Sequence, residues 1–288
     1  MSHRLTDARS RALIPTESDM TAMISSMTFE ISLRAIRATY ADLDGWQDRA
    51  RRMPPEQPER GSLLAMDDSI YPWHAISEAA RLSLMTAGEH LRLARTSIEA
   101  GQVYPSAHFT VLRGALVGAA QAVWVLGADE AAERQERGLT LIDEMYRQLQ
   151  IYYGELASTE LTAKDRGELQ SQIAWCGNRR AQVAGVRKAK TQLNQTDTIK
   201  WALHHHFSDD QRRSAGKLLW RQMSADAHVL GWSMFQRGNV VTPGHRSGMG
   251  VLESGGDLSH VAEPFVAIHR LLKEGWSLFD RLCESPTA

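Results

Sequence analysis

Apolar residues recur along this chain at three- and four-residue spacings, and sustained two-residue alternation is nearly absent. Such spacings return to one side of a helix, so the fold class is read as all-α, an antiparallel multi-helix bundle. An N-terminal helix is expected over 18–53, with Met20, Ile24, Met27, Ile31, Ala35 and Ala38 near helical spacing, after a flexible tail over 1–17. Pro54, Pro55 and Pro58 stop it, and 54–71 reads as a proline-rich linker. A bundle domain then fills 72–288, with helices over 72–100, 107–126, 129–156, 162–193, 198–206, 208–235 and 259–283. The 107–126 segment is apolar almost all round and is expected to be the central, most buried element. Gly114, Gly118 and Ala122 recur there every four residues, which lets a neighbouring helix approach closely. Thr162 with Asp165 forms a capping pair, and Ser208 with Gln211 forms a capping box. The segment 237–257, holding Gly238, Gly244, Gly248, Gly250, Gly255 and Gly256, reads as a long glycine-rich loop.

Composition changes this picture little. At 288 residues, 43% hydrophobic and 23% charged, the chain can bury a large core like an ordinary globular protein. A net charge of −1 exerts no global pull toward nucleic acid or membrane, but its distribution is uneven. Residues 128–170 hold ten acidic and five basic side chains, a net of −5; residues 171–222 hold ten basic and three acidic, a net of +7. The basic half favours an anionic partner there, and a basic helix face docked on an acidic neighbour accounts for it equally. Cys176 and Cys283 belong to no metal-ligand spacing and read as reduced, buried thiols. The first residues lack an apolar run of signal-peptide length, and the longest apolar run, 111–126, is interrupted by Arg113 and Gln121. A cytoplasmic location with no membrane partner is the resulting expectation.

The chemistry concentrates in Leu218-Leu219-Trp220-Arg221-Gln222-Met223-Ser224-Ala225-Asp226-Ala227-His228. Offsets of three, four and seven residues put Arg221, Ser224 and His228 on one stripe of a helix, beside Leu218, Leu219 and Met223. A fixed cation, a hydroxyl and a group that titrates near neutrality suit binding or cleavage of a phosphodiester. The same three side chains also suit a satisfied polar seam between helices. Arg113 stands nearly alone as a charge in the central apolar helix, so it must meet a carboxylate, a carbonyl group or a ligand anion. Glu78, Glu89 and Asp226 are the candidate carboxylates, and His108 is a candidate for the same cleft.

Arginine, six residues and histidine resemble the motif of the HEPN superfamily of helical domains, which lies near the end of a bundle. The polar residue that often follows the arginine there is Gln222 here. The chain also resembles uncharacterised bacterial helical families with an arginine in a central apolar helix and a late Tyr/Trp-Arg-x-x-Ser-x-x-x-His segment. Arg113 and the Trp220-to-His228 stretch match that pattern, while the acidic residue that such families often carry four positions after the arginine is Val117 here. The resemblance implies a metal-independent endoribonuclease in a defence or toxin setting. In it Arg221 holds the scissile phosphate, His228 transfers a proton, Ser224 assists, and Arg113 and His108 bind. RNA or another anionic ligand is the implied partner, with a homodimer. The competing reading is a non-catalytic helical module that binds a protein or a small anion.

No cofactor and no metal site are expected. His204, His205 and His206 are consecutive, and neighbours on a helix diverge by about 100°, so the three cannot converge on one ion. No HExxH or ExxH spacing, Walker lysine, dinucleotide fingerprint or nucleophile elbow occurs.

Overall fold

A computed structural model describes residues 17–242, 251–253 and 255–285. The tail expected over 1–17 falls almost wholly outside the described residues, as do 243–250 and 254 of the glycine-rich segment. The element order is α1 (Glu17–Arg37), α2 (Tyr40–Arg51), α3 (Leu63–Asp68), α4 (Ile76–Glu99), α5 (Ala107–Leu126), α6 (Ala131–Leu156), α7 (Ala163–Val186), α8 (Gln195–His206), α9 (Asp210–Ala227) and α10 (Leu258–Cys283). A short 3-10 turn (Gly231–Gln236) and two four- and three-residue strands, β1 (Asn239–Thr242) and β2 (Val251–Glu253), lie between α9 and α10. The fold is therefore an all-α helical bundle.

Helix α5 has the bounds its apolar pattern predicts, and α4, α8, α9 and α10 pack around it. By length and composition it could cross a membrane, but most of it is buried inside the bundle. The four-residue glycine spacing has the expected use. A Cβ on Gly118 would stand 2.6 Å from the Ser83 carbonyl oxygen of α4, and one on Gly114 would stand 2.3 Å from His90 Nε2. Only glycine lets α4 and α5 come this close.

Several boundaries differ from the sequence expectation, each for a local reason. The single helix over 18–53 is two, because the buried Thr39 turns its hydroxyl onto the Ile36 carbonyl oxygen at 2.7 Å and breaks the run at the α1–α2 junction. The expected linker contains α3, whose N-cap Ser62 accepts a hydrogen bond from Ala65 N–H. Asp209, not Ser208, caps α9 by accepting from Gln211 N–H. Helix α7 stops at Val186 because Arg187 turns extended and reaches back to Glu136 and Asp143 of α6. Helix α9 ends at Ala227 rather than near 235, and Val229 then takes a positive φ of 58°. The glycine-rich segment is partly ordered as the β1–β2 pair.

Two of the ten basic side chains over 171–222 are neutralised by carboxylates outside that segment. Arg180 and Arg187 pair with Asp143 and Glu136 across the α6–α7 contact. Both cysteines are buried and free.

One buried ion pair ties α3 to α6. Arg134 Nε donates to Asp67 Oδ2 at 2.8 Å, with the side chains 4% and 1% exposed. Its Nη1 reaches the carbonyl oxygens of Ala128 and Asp129, and Gln135 Nε2 donates to the second Asp67 oxygen at 3.0 Å. Every strong acceptor direction at Asp67 is thus engaged. Asp67→Ala would leave the guanidinium buried and unpaired, so it is expected to cost about 3–5 kcal/mol. Chemical denaturation measures this; a loss under about 1 kcal/mol would show that water reaches Arg134.

Candidate functional site

Helices α5 and α9 run against each other, with Arg113 of α5 meeting Trp220 and Ser224 of α9. Taking about 100° per residue on α9, Trp220 lies at 0°, Ser224 at about 40°, Lys217 at about 60°, His228 at about 80° and Arg221 at about 100°. Trp220 is buried in the seam, Ser224 is half-buried at its edge, and Lys217, Arg221 and His228 are exposed beyond it. Arg221 and Ser224 thus share one helix, as the spacing predicts, and His228 is its C-cap. The cap backbone keeps a nearly helical φ of −94°, so His228 continues the stripe.

Arg113 reaches this stripe from α5. Its Nε donates to Ser224 Oγ at 3.4 Å, and its guanidinium carbon lies 4.8 Å from the centre of the Trp220 ring. The expected carboxylate or carbonyl partner is absent: among the described residues, neither Glu78, Glu89 nor Asp226 pairs with Arg113. Asp226 is taken by Arg237 at 2.6 Å and by the Ser233 hydroxyl at 3.0 Å. A half-buried guanidinium resting on a π face and a weak hydroxyl bond keeps most of its donors free. The side chains of Lys217, Arg221 and His228 make no hydrogen bond or ion pair among the described residues. Arg113, Lys217 and Arg221 therefore place three permanent positive charges along the notch, with no carboxylate bonded to any of them. Such a notch can hold a phosphate, a sulfate or a carboxylate. Arg221 and His228 lie about two helical turns apart, roughly 10 Å, so a phosphodiester between them would span the notch.

His108 does not join the notch. Five residues on α5 separate it from Arg113, which turns it about 140° away. The side chain is buried, its Nδ1 accepts from Tyr104 N–H at 3.0 Å, and its Nε2 has no partner. Because Nδ1 accepts, the neutral ring carries its proton on Nε2. Burial pushes the imidazole below its ordinary pKa.

The consecutive histidines have separate surroundings. His205 stacks on Trp201, His206 Nδ1 lies 3.9 Å from Glu274, and among the described residues no group of three ligating side chains converges.

Sequence reasoning missed a second polar cluster at the end of the seam. Arg237 is buried over the Phe109 ring, 3.6 Å from its centre, and holds Asp226. The signal was the four-residue step from Phe109 to Arg113, which puts both on one face of α5. Lys217 was missed too, although it stands four residues before Arg221. Comparison with family models, with curated proteins and with solved structures finds no match to this chain.

Two outcomes follow. Arg113→Ala leaves no carboxylate stranded, so its cost is expected to be about 0.5–2 kcal/mol, the size of a cation–π contact, rather than the ~3–5 kcal/mol of a broken buried pair. Denaturant titration distinguishes them. The second outcome concerns acid. Burial lowers the pKa of His74, His108 and His269, so the folded chain keeps them neutral while the unfolded chain takes up protons. Stability is full above about pH 6.5 and declines as the pH falls below that value toward the folded pKa values. The unfolding midpoint should fall between pH 7.5 and 5.5, and less steeply in His108→Gln; an identical pH slope in that variant would refute the assignment.

Proposed function

We propose that this chain is a helical anion-binding protein that grips a phosphodiester in the α5–α9 notch and, as the HEPN-like resemblance implies, cleaves RNA there without metal. One observation carries the reading. Arg113 enters the notch from the central helix without a carboxylate partner and is steadied by Trp220 and Ser224 beside the free side chains of Arg221 and His228. A cation placed this way is stabilised by an incoming anion rather than by the fold.

In the catalytic form, Arg221 and Arg113 neutralise the phosphate oxygens, and neutral His228 accepts the proton of the ribose 2′-hydroxyl. The 2′-oxygen bonds to phosphorus, the bond to the 5′-oxygen breaks, and the leaving oxygen takes a proton from water. A defence role and a homodimer accompany this reading through the resemblance alone, and a cytoplasmic setting through the sequence expectation. A non-catalytic anion-binding module is the second reading. It is favoured by the absence, among the described residues, of any side-chain hydrogen bond linking Arg221, Ser224 and His228 to one another, since a catalytic pair is ordinarily oriented by such bonds.

The test is single-stranded RNA incubated with purified protein in chelator. Wild type is expected to cleave, and Arg221→Ala and His228→Ala to lower the rate at least about 100-fold while leaving the unfolding midpoint within ~2 °C, since both side chains are exposed. Salt-sensitive RNA binding that is weakened in Arg113→Ala and Arg221→Ala, with no cleavage, would select the non-catalytic module. Neither binding nor cleavage by wild type would overturn both.

A further inference from the structure

The bundle also has an apolar opening outside the notch. It lies on the other side of α9, enclosed by α1, α8, α9 and α10, with Leu116 of α5 at its floor. Its volume is about 410 Å³, within the range of pockets that hold cofactors and drug-sized ligands. Leu203, Phe207, Leu219, Met223 and Leu271 supply apolar walls. On α9, Gly216, Leu219 and Met223 lie between about 260° and 320°, turned away from the 0–100° arc of the notch.

The polar groups on its surface are few and placed unevenly. Ser32 of α1 lines the cavity, is only 8% exposed, and its hydroxyl has no hydrogen-bond partner among the described residues. An unpartnered hydroxyl on the cavity wall is available to something in the cavity. Arg212 and Arg270 stand at one end of the mouth. They share that end because α8 closes against α10 there: His206 lies 3.9 Å from Glu274, one turn beyond Arg270, and Phe207 precedes the start of α9. Arg270 has no ion-pair partner among the described residues, and Arg212 has only a 3.7 Å contact with Asp209. Glu263 also lines the mouth, seven residues before Arg270 and therefore about 10 Å away along α10.

We propose that this cavity is a binding site for a small amphipathic carboxylate, with its hydrocarbon body among Leu116, Leu219 and Met223 and its head group between Arg212 and Arg270. Ser32 donates to a polar atom on the body of the ligand or to its carboxylate. A second copy of this chain would have to bring its own segment past Arg212 and Arg270, and an apolar segment leaves those charges uncompensated. A hydrocarbon carboxylate satisfies walls and rim together. Ile31, 60% exposed on α1, forms the apolar lip over which the chain of the ligand enters.

The experiment uses decanoate, below its micelle concentration, with decanol as the uncharged probe and the full chain as receptor. Calorimetry is expected to show saturable decanoate binding at one site, at least tenfold tighter than decanol. Arg270→Ala should weaken decanoate about tenfold and leave decanol unchanged, because only the head-group contact is lost. Ala267→Trp, which fills the cavity from α10, should abolish binding of both. Leu219→Phe is the alternative blocking variant if the tryptophan prevents folding, with circular dichroism as the check. Arg113→Ala, in the notch, should bind decanoate like wild type. Equal binding of decanoate and decanol, or decanoate binding that survives a folded blocking variant, would overturn the proposal, as would the absence of saturable binding. None of these results depends on RNA cleavage, so the failure of either site is read separately.

Discussion

The constraint on which the bundle depends is that α5 is apolar on nearly every side. Helices α4, α6, α8, α9 and α10 cover it, and Gly118 lets the backbone of α4 approach closely. Burying each medium-sized aliphatic side chain of α5 contributes about 1.5–3 kcal/mol, so the cover is strongly specified where the surface is apolar. Arg113 is the place where that cover cannot be apolar. A fully buried guanidinium would need a carboxylate, and α9 supplies none at that height. The resolution is to leave Arg113 at the seam's edge, flat against Trp220, with Ser224 as its one bond. The notch is thus a consequence of how the central helix is closed.

The two buried arginine–aspartate pairs illustrate opposite solutions. Arg134 and Asp67 sit in a fully bonded network and join elements that have no other polar reason to meet. Arg237 and Asp226 are equally buried, yet among the described residues Asp226 Oδ2 and Arg237 Nε and Nη1 have no partner. The Phe109 face offsets part of that loss, since a desolvated cation–π contact is worth about 2 kcal/mol. This pair fixes the turn after α9, and with it the backbone that ends the stripe at His228. Its incomplete bonding makes that end of the seam less strongly held than the α3–α6 contact.

Periodicity carried the fold where burial is one-sided or complete. The bounds of α5 and nearly those of α10 follow from apolar spacing, because packing decides those residues. Junctions were less legible. A single threonine hydroxyl divides α1 from α2, and Ser62 starts α3 inside a stretch whose prolines and polar residues look like a linker. Such side-chain-to-backbone bonds leave no period to detect. In the notch, angular arithmetic placed Arg221, Ser224 and His228 together, but the partner of Arg113 was misjudged. Charge counting favours carboxylates, and nothing in the sequence shows that Asp226 is already engaged by an arginine beyond the end of the helix.

Helix α9 explains why the two proposed sites can coexist. Few of its residues are fully buried, and most of its surface is divided between a polar arc and an apolar arc. Trp220 anchors it to Arg113 of α5 between those arcs, and its Nε1 adds a long bond to Thr196 Oγ1 of α8. A helix fastened along a narrow strip exposes its flanks on both sides. The cationic flank meets solvent beside Arg113, where an anion gains from an incompletely paired charge. The apolar flank faces α1 and α10 across a gap that their side chains do not fill. A helix with a broader buried face would pack better and would close both openings.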